Sequence, residues 1–192
     1  MVAEPPAVRQ CLLRAGASRR FAGVMQDQRF DRDGELGAKG EVLRLRTFLA
    51  ADGTCEAVLA WKGPTTVAPG GYKQRAELEL TLSPGAASPL AVALLQALGF
   101  REVLAIDRFV EYYRLDQATV RLEWYPRMDV LLEIEGSPAA IERAVKASGL
   151  PRDGFTPEAL ADFAARYERR TGLRSALTLA ELAGERPTWE VG

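Results

Sequence analysis

Four segments of this 192-residue chain set charged side chains at alternate positions. Lys73, Arg75, Glu77 and Glu79 alternate with Ala76, Leu78 and Leu80, and Arg44 and Arg46 alternate with Leu43 and Leu45. Arg121 and Glu123 alternate with Leu122 and Trp124, and Glu133 and Glu135 with Leu132 and Ile134. Successive strand residues point to opposite faces, so each segment has one charged and one apolar face. On any single strand the charged face can simply meet water. The ensemble asks for more, because amphipathic helices elsewhere in the chain need apolar surface to cover. If the sheet curls with helices outside, the charged faces become its lining and are expected to share one concavity. Charges placed there need partners, water or a ligand of opposite sign. Guanidinium and ammonium groups grip phosphate oxygens, and paired carboxylates hold Mg²⁺ or Mn²⁺, which is the outline of a phosphoryl-transfer site.

Composition narrows the chemistry. Histidine is absent, which excludes Ser-His and Cys-His nucleophile pairs and any His-ligated zinc. The formal net charge is -1, so no bulk positive field favours nucleic acid or an anionic membrane. The two cysteines, Cys11 and Cys55, fall in different expected elements and supply neither a disulfide framework nor a metal-ligand spacing. No leader-like start and no bilayer-length apolar run are visible, so a soluble, cytoplasmic protein is expected.

The elements that must position these charges are mostly strands, expected at 22–30, 41–49, 54–62, 72–82, 101–115, 118–125 and 129–136. Asp52-Gly53 reads as a two-residue hairpin turn, and Asp116-Gln117 as another. A first helix is expected over 5–15, opened by Pro5 and Pro6 and stopped by Gly16. A second runs from an N-cap at Ser88 to Leu98, with Leu90, Leu94, Leu95 and Leu98 as its apolar stripe. Two more follow the last strand, capped by Ser137 and Thr156 and ended by Gly149 and Gly172. Thr178 and Glu181 read as a capping box for a short final helix. One domain over 1–184 is expected, with a mobile tail over 185–192.

The order of several short motifs resembles the CYTH family, the triphosphate tunnel metalloenzymes that include class IV adenylyl cyclases and thiamine triphosphatases. Asp27-Gln28-Arg29-Phe30-Asp31 is similar to the family's D-x-Y-F-D, with arginine in place of tyrosine. Leu43-Arg44-Leu45-Arg46 matches L-R-L-R, and Lys62-Gly63-Pro64 matches K-G-P. Arg75-Ala76-Glu77-Leu78-Glu79 matches R-x-E-x-E, Leu98-Gly99-Phe100 matches L-G-F, and Glu133-Ile134-Glu135-Gly136 matches E-I-E-G.

The resemblance implies an α+β fold: an eight-stranded antiparallel barrel, or tunnel, with helices packed outside. It implies that Arg44, Arg46, Lys62, Arg75 and Arg108 grip a triphosphate. It also implies that Glu77, Glu79, Glu123, Glu133 and Glu135 hold Mg²⁺ or Mn²⁺, with Glu123 standing where the family usually has aspartate. The family opens with an E-x-E-x-K strand, whereas this sequence starts Met1-Val2-Ala3-Glu4-Pro5-Pro6, which leaves seven strands of the usual eight. The implied ligand is tripolyphosphate or a nucleoside or thiamine triphosphate, and the implied activity is hydrolysis, expected to be weak unless the first strand is supplied. Three alternatives stay open: an adenylyl cyclase, a polyphosphate- or nucleotide-binding module without turnover, and an interaction protein whose open edge accepts a strand. A homodimer is compatible with the last.

Overall fold

The computed structural model describes residues 1–68, 71–82 and 87–189. It is an α+β fold with a large sheet of seven strands in the order β6-β3-β2-β1-β7-β8-β9. Its strands are β1 (Ser18–Asp31), β2 (Val42–Ala50), β3 (Cys55–Lys62), β6 (Glu77–Leu82), β7 (Arg101–Leu115), β8 (Ala118–Trp124) and β9 (Leu131–Glu135). The expected strand over 72–82 is divided. Its first part, β5 (Tyr72–Gln74), pairs with β4 (Thr66–Ala68) in a separate two-stranded ribbon, and only Glu77–Leu82 joins the main sheet. Thr66 Oγ1 donates to the Gln74 carbonyl at 3.0 Å and closes the ribbon just before the break. The helices are α1 (Pro5–Arg14), the short α2 (Glu35–Ala38), α3 (Ala87–Ala97), α4 (Pro138–Ser148) and α5 (Leu160–Thr171). None of the described helices is long and apolar enough to cross a membrane.

The chain divides into two compact units, Met1–Gly23 with Arg108–Gly192 and Val24–Asp107; β1 and β7 contribute residues to both. In the unit formed by Val24–Asp107, the apolar sheet face carries Leu43, Leu45, Leu59 and Leu82, which pack with Phe30, Phe100 and helix α3. Helix α3 lays Ala91, Val92 and Leu95 on this face, while Leu90, Leu94 and Leu98 are exposed, which corrects the expected stripe. Helix α3 is apolar almost all round, so periodicity alone could not choose between its two sides. Ser88 lies inside the helix rather than capping it, and its Oγ shares a 3.1 Å hydrogen bond with Thr47 Oγ1 on β2. The β2–β3 hairpin has a three-residue loop, not two. Gly53, at φ 83°, gives its N–H to the Ala50 carbonyl, and Ala50 N–H pairs with the Thr54 carbonyl. Only glycine takes that left-handed conformation without steric cost.

The other unit buries Val8 and Leu12 of α1, Tyr113 and Leu115 of β7, Val120 and Leu122 of β8, and Ala140 and Ala144 of α4 in one core. Helix α4 begins at its Ser137 cap, whose Oγ accepts from Ala140 N–H at 3.3 Å, and ends at left-handed Gly149, as expected. Asp116, at φ 49°, turns β7 into β8 through the expected two-residue loop. Helix α5 starts later than its sequence suggests. The Thr156 hydroxyl accepts from Glu158 N–H at 3.0 Å, and the helix is instead entered through Ala159, whose N–H goes to the Asp162 carboxylate at 2.9 Å. The Thr178–Glu181 box forms around a single 3₁₀ turn, Leu179–Leu182. In the segment read as a mobile tail, Thr188 donates to the Pro126 and Tyr125 carbonyls and Trp189 is buried; 190–192 lie outside the described residues. Cys11 and Cys55 are free.

One buried charge lies on the apolar face of this second unit. Glu111 of β7 is clasped by Arg9 of α1, through Nε at 3.0 Å and Nη2 at 2.8 Å, and accepts from the Tyr113 hydroxyl at 2.9 Å. The fork anchors α1 to the sheet. Arg9→Met would leave the buried carboxylate with the phenol alone and is expected to cost about 2–3 kcal/mol in urea unfolding. Arg9→Met combined with Glu111→Leu is expected to recover most of the loss. Burial, then the bond to Glu111, pushes Tyr113 from its ordinary 10.0 up to about 12. The protonated phenol is therefore favoured in the folded state, and its contribution, full below pH 10.0, is lost as pH rises toward about 12. Tyr113→Phe is expected to flatten the fall in stability over that window, measured by unfolding at stepped alkaline pH.

Candidate functional site

Pairing register decides which charges share a face. In the Val24–Asp107 unit, Lys62 stands opposite Val42 and Glu77, while Ala60 stands opposite Arg44 and Glu79. Residues directly opposite one another in an antiparallel pair share a face, as do positions two apart on a strand. Arg44, Arg46, Lys62, Glu77 and Glu79 therefore share one face, and Leu43, Leu45, Leu59, Trp61 and Leu78 the other. Arg44, Arg46 and Lys62 are buried. Their central counter-charge is Asp27 of β1, only 1% exposed, whose Oδ2 accepts from Arg46 Nε at 3.2 Å and lies 3.6 Å from Arg44 Nη1. Lys62 Nζ meets Glu77 Oε1 at the outer strand β6. Burial, then the nearby Arg44 guanidinium, pushes the Lys62 ammonium below its ordinary value, and Glu77 pulls it partly back.

Two expected members stand apart. Arg75 lies in the break between β5 and β6 and is exposed, and Glu79 is exposed on the edge strand. Lys73, on the ribbon strand β5, is also exposed. Asp31, the second acid of the D-x-x-x-D segment, serves local structure: its carboxylate accepts the N–H groups of Arg32, Leu36 and Gly37 and caps the turn into α2. Those three backbone bonds, led by Gly37, hold it below the usual carboxylate range.

The unit containing Arg108–Gly192 holds a second charged cluster. Cross-strand register places Val110 opposite Glu123, Tyr112 opposite Arg121, Arg121 opposite Glu133 and Thr119 opposite Glu135. Arg108 Nη1 donates to Glu123 Oε2 at 3.0 Å and to the Tyr125 hydroxyl at 3.3 Å. The Tyr125 hydroxyl donates to the same Glu123 oxygen at 2.6 Å. Burial and the neighbouring Glu123 charge push the Tyr125 phenol well above its ordinary value, so it stays a donor. Arg121 Nη2 reaches Glu133 Oε2 at 2.6 Å and Glu135 Oε1 at 2.5 Å, and its Nε lies 3.6 Å from Glu123 Oε1. Its guanidinium also sits over the Tyr112 ring, 5.5 Å from the centroid.

The charged face of the first cluster carries more cations than carboxylates close to them, and the second the reverse. The first suits a polyanion directly. For the second the expected partner is a divalent cation, and carboxylate oxygens are the right donors for Mg²⁺ or Mn²⁺. Their arrangement does not fit that role as it stands. Glu123, Glu133 and Glu135 converge on a guanidinium, and among the described residues no group of three carboxylates or thiols is arranged to hold a metal ion. Three participants were not singled out from sequence: Asp27, Arg121 and Tyr125. Arg121 and Asp27 were visible in the alternation and in the D-x-x-x-D segment. Tyr125 had a fainter signal, its place two residues beyond Glu123.

No protein-family model matches the chain, and no curated protein matches it. Solved structures do. The PH1819 protein of Pyrococcus horikoshii OT3 is 22% identical, with a TM-score of 0.60 over 75% of this chain and 83% of that one. A candidate adenylate cyclase of Vibrio parahaemolyticus is 13% identical, with a TM-score of 0.62 over 85% of this chain and 93% of that one. The candidate adenylyl cyclase HpAC1 of Hippeastrum, described as having a dominant triphosphatase activity, is 18% identical, with a TM-score of 0.59 over 84% and 91%. At these identities the likeness is one of fold. The chain has a CYTH-like fold, in agreement with the order of its motifs.

Asp27 is the point on which the first cluster depends. Asp27→Asn removes the negative charge between two buried guanidinium groups and is expected to cost about 3 kcal/mol, read from urea unfolding at low salt. Added sulfate is expected to recover part of the loss. A variant as stable as the parent would show that Arg44 and Arg46 do not rely on this carboxylate.

Proposed function

We propose that this chain binds a triphosphate-bearing small molecule, gripped chiefly by Arg44, Arg46 and Lys62, with Arg75 as a further cation. The observation that carries the reading is the first cluster: three buried cations on one sheet face, of which Arg44 and Arg46 share a single carboxylate oxygen of Asp27. Guanidinium groups held by a rigid strand ladder are pre-organised for phosphate oxygens, so little ordering cost remains when the anion arrives. A polyanion also relieves the Arg44 repulsion that, after burial, helps to hold the Lys62 ammonium below its ordinary value. Solved proteins of this fold include one described as a triphosphatase, which supports the ligand class.

Between the two reactions that a triphosphate offers, the reading favours hydrolysis. Release of the terminal phosphate needs the phosphate grip and a water molecule. Cyclisation also needs a base and ribose held in line, and no described residue is assigned to them. The exposure of Arg75 and Glu79 and the arginine-bound state of Glu123, Glu133 and Glu135 favour slow turnover.

The test is a thermal shift with tripolyphosphate, controlled with sulfate at equal ionic strength. A ligand at about a hundred times its Kd adds about 2.7 kcal/mol. For a chain of this size that is a rise of roughly 5–10 °C in Tm. Arg44→Gln with Lys62→Gln is expected to remove the tripolyphosphate-specific part of the rise. Phosphate release is measured on the same samples. Binding without release would assign the chain to the non-catalytic reading, and an undiminished rise in the double variant would overturn the proposed grip.

A further inference from the structure

We infer that Arg121 is a built-in counter-cation, which holds Glu133 and Glu135 in place of a divalent metal ion, so that these carboxylates as they stand do not fit one. One Nη2 atom bridges an oxygen of each glutamate, at 2.6 and 2.5 Å. The two glutamate side chains are each 47% exposed, whereas that of Arg121 is 5% exposed, so the guanidinium lies beneath carboxylates that reach solvent. An ion arriving from solvent would meet oxygens already committed to a positive charge behind them.

That charge is permanent, because arginine is not deprotonated in a protein at any ordinary pH. It is also held on several sides. The Tyr112 ring supports its face, and Glu123 lies 3.6 Å from its Nε. Glu123 is in turn fixed through its other oxygen by Arg108 and Tyr125. Mg²⁺ or Mn²⁺ needs several oxygens in near-octahedral array about 2.0–2.1 Å away, and the carboxylates that would supply them are spent on the guanidinium. The geometry thus leaves this acidic trio committed to a guanidinium and not to a metal ion. It does not depend on whether the chain binds triphosphate.

Direct Mn²⁺ binding, followed by electron paramagnetic resonance and calorimetry without any phosphate compound, tests the inference. The parent protein is expected to bind Mn²⁺ weakly, with a Kd in the millimolar range. Arg121→Met is expected to tighten it at least tenfold, and adding Glu133→Gln and Glu135→Gln to that variant should abolish the gain. Arg121→Lys, which keeps a positive charge, should resemble the parent. Arg121→Gln, which keeps a donor to the glutamates without the charge, is carried in parallel, and circular dichroism establishes that each variant is folded. The inference is overturned if the parent binds Mn²⁺ as tightly as the neutral variants do. It is equally overturned if folded neutral variants gain nothing, or if the gain survives loss of both glutamates. Failure of triphosphate binding would leave these outcomes unchanged, so the two readings can be separated.

Discussion

Charges that leave water must be met by charges of opposite sign, and this requirement organises the polar face of the sheet in both units. Burying a lone guanidinium or carboxylate would cost several kcal/mol, comparable to the whole stability of an ordinary domain. Each buried cation described here has a carboxylate within reach: Asp27 for Arg44 and Arg46, Glu77 for Lys62, Glu123 for Arg108, and Glu133 and Glu135 for Arg121. The same rule explains the exception on the apolar face, where Glu111 is tolerated because Arg9 and Tyr113 close around it.

The pairing differs between the units. In the Val24–Asp107 unit one fully buried acid serves two arginines at once. In the other unit the excess runs toward carboxylates, and one arginine absorbs three of them. Both arrangements rest on rigid strand ladders, where neighbouring Cβ atoms are fixed within about 4.5–5.5 Å.

Away from the charged faces, the structure shows where local rules give way. The strand expected over 72–82 breaks because its first three residues pair with β4, removing Lys73 and Arg75 from the face on which the alternation had placed them. Helix α3 presents a leucine row to solvent because Ala91, Val92 and Leu95 fit the sheet instead. In both cases the sequence offered two solutions of similar local quality, and non-local packing selected one.

What the sequence determined by itself was the two-faced character of β2, β6, β8 and β9, the Ser137 and Thr178 caps, the turn at Asp116 and the motif order that implied the fold. These depend on residues a few positions apart, and the backbone geometry of a strand or helix end fixes their relation before any tertiary contact forms. Only the tertiary structure decided that Arg44, Arg46 and Lys62 are buried and that Arg75 and Glu79 are exposed. It likewise gave Asp27, Arg121 and Tyr125 their central places. Burial and ion pairing are set by what adjacent strands bring to the same spot, here from residues 19 positions apart for Asp27 and Arg46 and 15 apart for Arg108 and Glu123. No pattern along the chain records that encounter, since a charge on an alternating face looks the same whether it meets water, a ligand or another charge.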